Sequence, residues 1–205
     1  MIAAVERSPE RDAALAAALA HVPFDGWTMA ALRHGLRDLD AEPLDAELLF
    51  PGGAAGLIEA FADRIDREME AAAAALDLPA LRVPARVRAL VALRLRLLAP
   101  HKEAVRRALA LPGRAPAATR ALARTVDAIW HAAGDASADF SWYTKRAILA
   151  GVYGATLLFW LNDHGEDDAA TLAFLDRRLA GVAGIGRLRR RCGEMLARVR
   201  PAAAA

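Results

Sequence analysis

The sequence predicts an all-helical bundle, and three observations carry that expectation. Alanine, the strongest helix former, is abundant in a composition that is 56% hydrophobic. β-Branched and aromatic residues are sparse, and nothing alternates with a period of two, so strands are not expected. Apolar residues recur instead at helical spacing, as Leu57, Phe61, Ile65 and Met69 do. The 205 residues suit one ordinary domain with a large buried core.

Taken in order, Ser8-Pro9 opens the first helix, serine as cap and proline at the first position, and the helix runs to about His21. Pro23 and Gly26 break the chain, and Thr28 caps a second helix ending near Leu39. After Pro43, Asp45 is placed to cap a short third helix that stops at Pro51-Gly52-Gly53. A long helix then covers 54–78, followed by helices at 84–98 and 101–110 on either side of Pro100. Helices are expected at 117–133, 139–162 and 167–180. The stretch AGVAGIG (180–186) leads into an arginine-rich helix reaching Val199. This divides the chain into a head (1–53), a body (54–180) and a C-terminal hinge, basic helix and tail (181–205).

Charge is unevenly spread. Residues 1–60 balance to −6, and residues 177–205, with eight arginines against Glu194, balance to +7. A basic end of this kind points to an anionic partner. Cys192 is the only cysteine, so no internal disulfide forms and a reducing compartment is expected. The N-terminus MIAAVERSPERD carries charges where a signal peptide needs an apolar stretch, and it is not acid-poor as a transit peptide is. The oiliest stretch, Ala147 to Leu161, has 15 residues where a membrane span needs about 20, so it reads as a buried core helix.

Three short helices ahead of a longer helical body resemble the TetR-type regulators, in which a helix-turn-helix head sits on a ligand-binding bundle. LDAELLFPGGAAGLIEAF (44–61) occupies the place of their recognition helix. Phosphate contacts from lysine and arginine supply most of the affinity in such heads. The segment Leu44 to Phe50 has Asp45 and Glu47 and no base, and the whole head is acidic. The expectation is therefore no nucleic-acid partner, with a regulator responding to a hydrophobic ligand as the rival reading.

Two stretches are more specific. HVPFDGWTMAALRHGL (21–36), followed by LLFPGG (48–53), and AIWHAAGDASADFSWYTKRAILAGVYGATLLFW (128–160) together resemble the coenzyme Q accessory family called Coq-nine. The match runs from about residue 8 to 200, and DFSWYTKR (139–146) is its most diagnostic part. The resemblance implies a TetR-like fold without DNA binding, a pocket for isoprenoid lipids and a C-terminal amphipathic helix. It also implies a homodimer and a partner, the di-iron hydroxylase of the demethoxyquinone ring. The implied location is peripheral, on the inner face of a bacterial inner membrane or on the mitochondrial matrix side. No bond is made or broken by the chain in this reading, and no cofactor is called for.

The candidate sites follow. No E-x-x-H pair, H-E-x-x-H, P-loop or G-x-S-x-G occurs. The five histidines (21, 34, 101, 131, 164) are scattered and read as surface or capping residues, so no metal ligand is expected. Leu149, Val152, Tyr153, Leu157 and Trp160 share one side of the 139–161 helix, with Gly151 and Gly154 beside them. Those glycines mark either close helix packing or room for a ligand. With the resemblance added, these five residues, Phe61 and Ile65 become the expected lipid lining. Trp142, Tyr143, Lys145 and Arg146 are consecutive enough on a helix that some must be exposed. They read either as a partner-binding hot spot or as a cap in which Arg146 pairs with Asp139 or Asp135. The resemblance favours the partner surface, and adds Ile129 and Asp139 to it. Finally Ile185, Leu188, Met195, Leu196 and Val199 form a stripe beside Arg187, Arg190 and Arg191. Such a basic amphipathic helix suits an anionic membrane surface, or folds back on the bundle.

Overall fold

The computed structural model describes residues 5–113, 115–135, 141–165 and 167–182. Among them every regular element is helical. The order is α1 (Pro9–Asp25), α2 (Met29–Asp38), a 3-10 turn (Pro43–Asp45), α3 (Ala46–Leu49) and α4 (Gly53–Ala73). A second 3-10 turn (Leu78–Ala80), α5 (Val83–Leu98), a third turn (Ala99–His101), α6 (Lys102–Ala110), α7 (Ala115–Ala132) and α8 (Ser141–Asn162) follow. Residues 169–182 are helical again, here α9. The chain forms two compact units, residues 1–150 and 151–205, divided inside α8.

In the first unit, Ser8 and Thr28 cap α1 and α2 as expected, their hydroxyls accepting from Arg11 N and Ala31 N, both at 3.2 Å. α1 does not stop at His21: it carries Pro23 in its last turn and ends at Asp25. A proline so near the end removes only one backbone donor, and Gly26 at φ 69° supplies the left-handed turn that stops the helix. Asp45 makes no side-chain cap at α3, whereas the Glu42 carboxylate accepts from Leu44 N. α1 and α2 cross so closely at Gly35 that a Cβ there would stand 2.5 Å from Ala18 N. Just past Gly26, Trp27 is buried against Phe61 of α4, ring centroids 5.3 Å apart, and its indole N–H donates to Ala104 O of α6 at 2.8 Å. This tryptophan ties the head to the body.

The α4 stripe is as expected: Leu57, Phe61, Ile65 and Met69 are all buried. α4 ends at Ala73, short of Leu78. The last alanines unwind through i→i+3 bonds such as Leu76 N to Ala73 O at 3.0 Å. Polar side chains join the helices from within. Asp66 (α4) accepts from Arg94 Nε (α5) at 2.7 Å and from the Thr125 hydroxyl (α7) at 2.9 Å, all three buried. Burial pushes the Asp66 carboxyl up, against the opposing pull of Arg94 and Thr125. Nearer the surface, Arg7 grips Asp63 at 2.7 and 3.0 Å, and Arg67 bridges Asp63 and Asp12, clasping α1 to α4.

In the second unit, Val152, Tyr153, Thr156, Trp160, Leu161, Thr171 and Leu175 are buried. Phe159 stacks on Phe174, centroids 4.5 Å apart, and the Thr171 hydroxyl donates to Asp163 at 2.6 Å. Gly181, assigned to the hinge from sequence, is helical. No helix among the described residues is long and apolar enough to cross a membrane.

Candidate functional site

α7 ends at a left-handed Gly134 (φ 79°), with Asp135 N bonded back to Trp130 O at 3.0 Å. That turn fixes the Asp135 carboxylate, nearly buried at 8% exposure, where the first turn of α8 meets it. Lys145 Nζ lies 2.8 Å from Asp135 Oδ1 and 5.7 Å from the Trp130 ring centre. Arg146 pairs with Asp127 through Nε and approaches Asp135 at 3.6 Å. Its guanidinium also stacks 3.8 Å over Trp142, which meets Tyr143 edge-on at 4.7 Å. Tyr143 is 68% exposed and Trp142 is half-buried.

Of the two carboxylates named from sequence as partners of Arg146, Asp135 is one it approaches. The cations are held by Asp127 on α7 and by Asp135 just past its end, with Tyr143 exposed and Trp142 half-buried above them. Ile129 has no place on the surface: it is wholly buried, so the expectation of a partner contact from it is corrected to core packing under α7. Asp139 lies outside the described residues, as do Ile185, Leu188, Met195, Leu196, Val199, Arg187, Arg190 and Arg191.

Of the expected lipid lining, Phe61, Ile65 and Leu149 are buried in the first unit. Phe61 already has aromatic neighbours, Trp27 and His101, the latter edge-on at 5.6 Å. His101 caps nothing; burial, and then the charge of Arg64, lower its pKa. In the second unit Val152, Tyr153 and Trp160 are buried and Leu157 is half-buried. Among the described residues, a Cβ on Gly151 or Gly154 would meet nothing within 4 Å. A separate open cleft of about 450 Å³ lies at the unwound end of α4. Glu70, Ala73, Ala74, Leu76, Leu78 and Pro79 line it with His131 and Ala132 of α7, and none of the expected lipid residues does.

The head holds a grouping that the sequence reading missed. His21 and His34, expected to stand apart, bring their rings to 5.3 Å, edge to face. His21 Nε2 lies 2.6 Å from Asp38 and His34 Nδ1 lies 2.8 Å from Asp25. The signal in the sequence was a repeat: H-x-x-x-D occurs at 21–25 on α1 and again at 34–38 on α2. At α3, Leu44 and Leu48 are exposed beside Asp45 and Glu47.

The family model described as COQ9 matches residues 115–186, which contain the whole α7–α8 cluster. The ubiquinone biosynthesis protein COQ9, mitochondrial, of Rattus norvegicus is 34% identical over 181 residues, 84% of this chain and 58% of its own length. The Homo sapiens protein of that name is 33% identical over the same share of this chain and 57% of its own. The Drosophila melanogaster protein is 33% identical over 80% of this chain and 52% of its own. The chain thus spans between half and three fifths of the length of these relatives. Among solved structures, a TetR transcriptional regulator from Nitrosomonas europaea superposes with a TM-score of 0.67 at 23% identity, covering 86% of this chain and 99% of that one. That likeness shows the fold: all-α and TetR-like. With a matching family model over the α7–α8 region and about a third of residues shared across most of its length, the chain belongs to the COQ9 family.

Proposed function

We propose that this chain is a non-catalytic, lipid-binding accessory protein of ubiquinone biosynthesis. It shields the isoprenoid tail of a quinone intermediate and presents the ring to the di-iron demethoxyquinone hydroxylase at an anionic membrane surface, working as a homodimer. The observation that carries this reading is the α7–α8 cluster. Exposed Tyr143 and half-buried Trp142 stand on cations already neutralised by Asp127 and Asp135, inside the stretch matched by the family model. Rigid aromatics on a braced polar base suit a hot spot, since little side-chain entropy is lost on docking. The space beside Gly151 and Gly154, next to the apolar side of α8, supports the lipid part. The regulator reading is the weaker one, because the 3-10 turn and α3 present Leu44, Leu48, Asp45 and Glu47 where phosphates would lie.

The test is mass spectrometry of lipids co-purifying with the full chain. An isoprenoid quinone or its precursor is expected, enriched over an unrelated helical protein prepared alongside. No isoprenoid lipid above that control refutes lipid binding. For the membrane part, deleting residues 184–205 should abolish co-sedimentation with anionic vesicles; undiminished sedimentation would assign the binding to another surface.

A further inference from the structure

We infer that the head carries a binding site for a zinc-class divalent transition metal, formed by His21, Asp25 and His34 with Asp38 behind it. Ligand atoms of the first three lie within 4.8 Å of one another. A metal about 2.0–2.2 Å from each nitrogen and oxygen needs its ligands somewhat closer than that. The adjustment is small for side chains that are half-buried or exposed.

The construction is local to two helices. Residues four apart share a helix face, so each H-x-x-x-D places its imidazole and carboxylate together. The close crossing of α1 and α2 at Gly35, next to His34, brings the two faces into register. Cross-pairing follows, His21 with Asp38 and His34 with Asp25, at 2.6 and 2.8 Å. A carboxylate on a ligating histidine orients its ring, and Asp38 is placed to do this for His21. Charge favours a cation: residues 1–60 balance to −6, and the cluster itself adds two carboxylates to two imidazoles. Two imidazoles with one carboxylate suit zinc, cobalt or nickel, whereas magnesium and calcium prefer all-oxygen sets. Bound there, the ion would pin the last turn of α1 to α2 beside Phe24, which is 82% exposed.

The experiment uses the full chain without a polyhistidine tag, freed of metal with chelator, titrated with ZnCl2 by calorimetry and by melting. One Zn2+ per chain, a higher Tm with zinc, and no competition from millimolar Mg2+ are expected. Asp38→Asn should weaken binding on the order of 10- to 100-fold, and His34→Ala at least as much, since it removes a direct ligand. Co2+ should give d–d absorption that the His21→Ala/His34→Ala pair abolishes. All these positions are at least partly exposed, so the variants should fold; circular dichroism checks this, and Asp25→Asn is the milder substitute. Absence of binding at submillimolar Zn2+ would show that the cluster is hydrogen-bonded histidine–carboxylate pairs only. Equal binding by wild type and the double-histidine variant would place the metal elsewhere. Either result overturns the proposal.

Discussion

Replacing Arg94 by methionine should be among the most damaging single changes in the first unit. The guanidinium and the Asp66 carboxylate are only 5% and 8% exposed, 2.7 Å apart, and Arg94 also donates to Thr125 Oγ1 at 3.1 Å. Methionine matches the stem of arginine, so little packing is lost, but Asp66 keeps its burial and loses its cation. Breaking a buried pair from one side costs about 3–5 kcal/mol, because an uncompensated charge remains. For a chain of this size each kcal/mol moves Tm by about 2–4 °C, giving a fall of roughly 6–20 °C. Burial already pushes the Asp66 carboxyl above its ordinary value, and without Arg94 it rises further. A carboxyl raised in the folded state contributes stability that is full below its unfolded pKa and is lost as pH rises through the folded value. The variant's deficit should therefore shrink at pH 5 and widen at pH 8. The double variant Asp66→Asn/Arg94→Met should lose less than the two single losses added together, since no charge is left stranded. Urea titrations of the four proteins at both pH values complete the cycle. A single-variant loss under about 1 kcal/mol, or strict additivity, would refute the account.

Three further outcomes are expected. Gly35→Ala should destabilise by about 1–3 kcal/mol despite alanine's better propensity, because its Cβ would meet backbone at 2.5 Å; an unchanged or raised Tm contradicts the close crossing. Glu59 on α4 holds Arg120 and Arg124 on α7, both at 2.6 Å; burial would raise its carboxyl, and the two cations overcome this and lower it. That stability is present above the unfolded carboxylate pKa and lost as pH falls through the folded one, so Glu59→Gln should cost about 1–3 kcal/mol at pH 7, a gap that closes on acidification; a gap that persists at acid pH counts against it. Trp142→Lys should cost only the stack on Arg146, about 0.5–1 kcal/mol, while pull-down of the hydroxylase is lost; a folded variant that still captures it at wild-type affinity moves the partner surface elsewhere.

The sequence by itself determined the helical architecture, the two caps at Ser8 and Thr28, and the buried stripe of α4. These rest on local chemistry and short-range periodicity, and neither needs a distant residue. It also marked the aromatic and cationic start of α8 as unable to face wholly inward, since four neighbouring positions point around the helix. Its errors were of range. Pro23 looked like a break because a proline's effect depends on how many helical bonds remain after it, and here the helix was already ending. Ile129 looked like a partner contact, yet only the packing of α7 shows that it is wholly buried. The glycines of α8 read from sequence as close packing or as room for a ligand, and among the described residues a Cβ on either meets nothing within 4 Å. His21 and His34 seemed scattered because thirteen positions of chain separate them, while the tight crossing at Gly35 sets their rings 5.3 Å apart. Spacing along one helix is written in the residues; the meeting of two helices is decided by packing, and only tertiary structure records it.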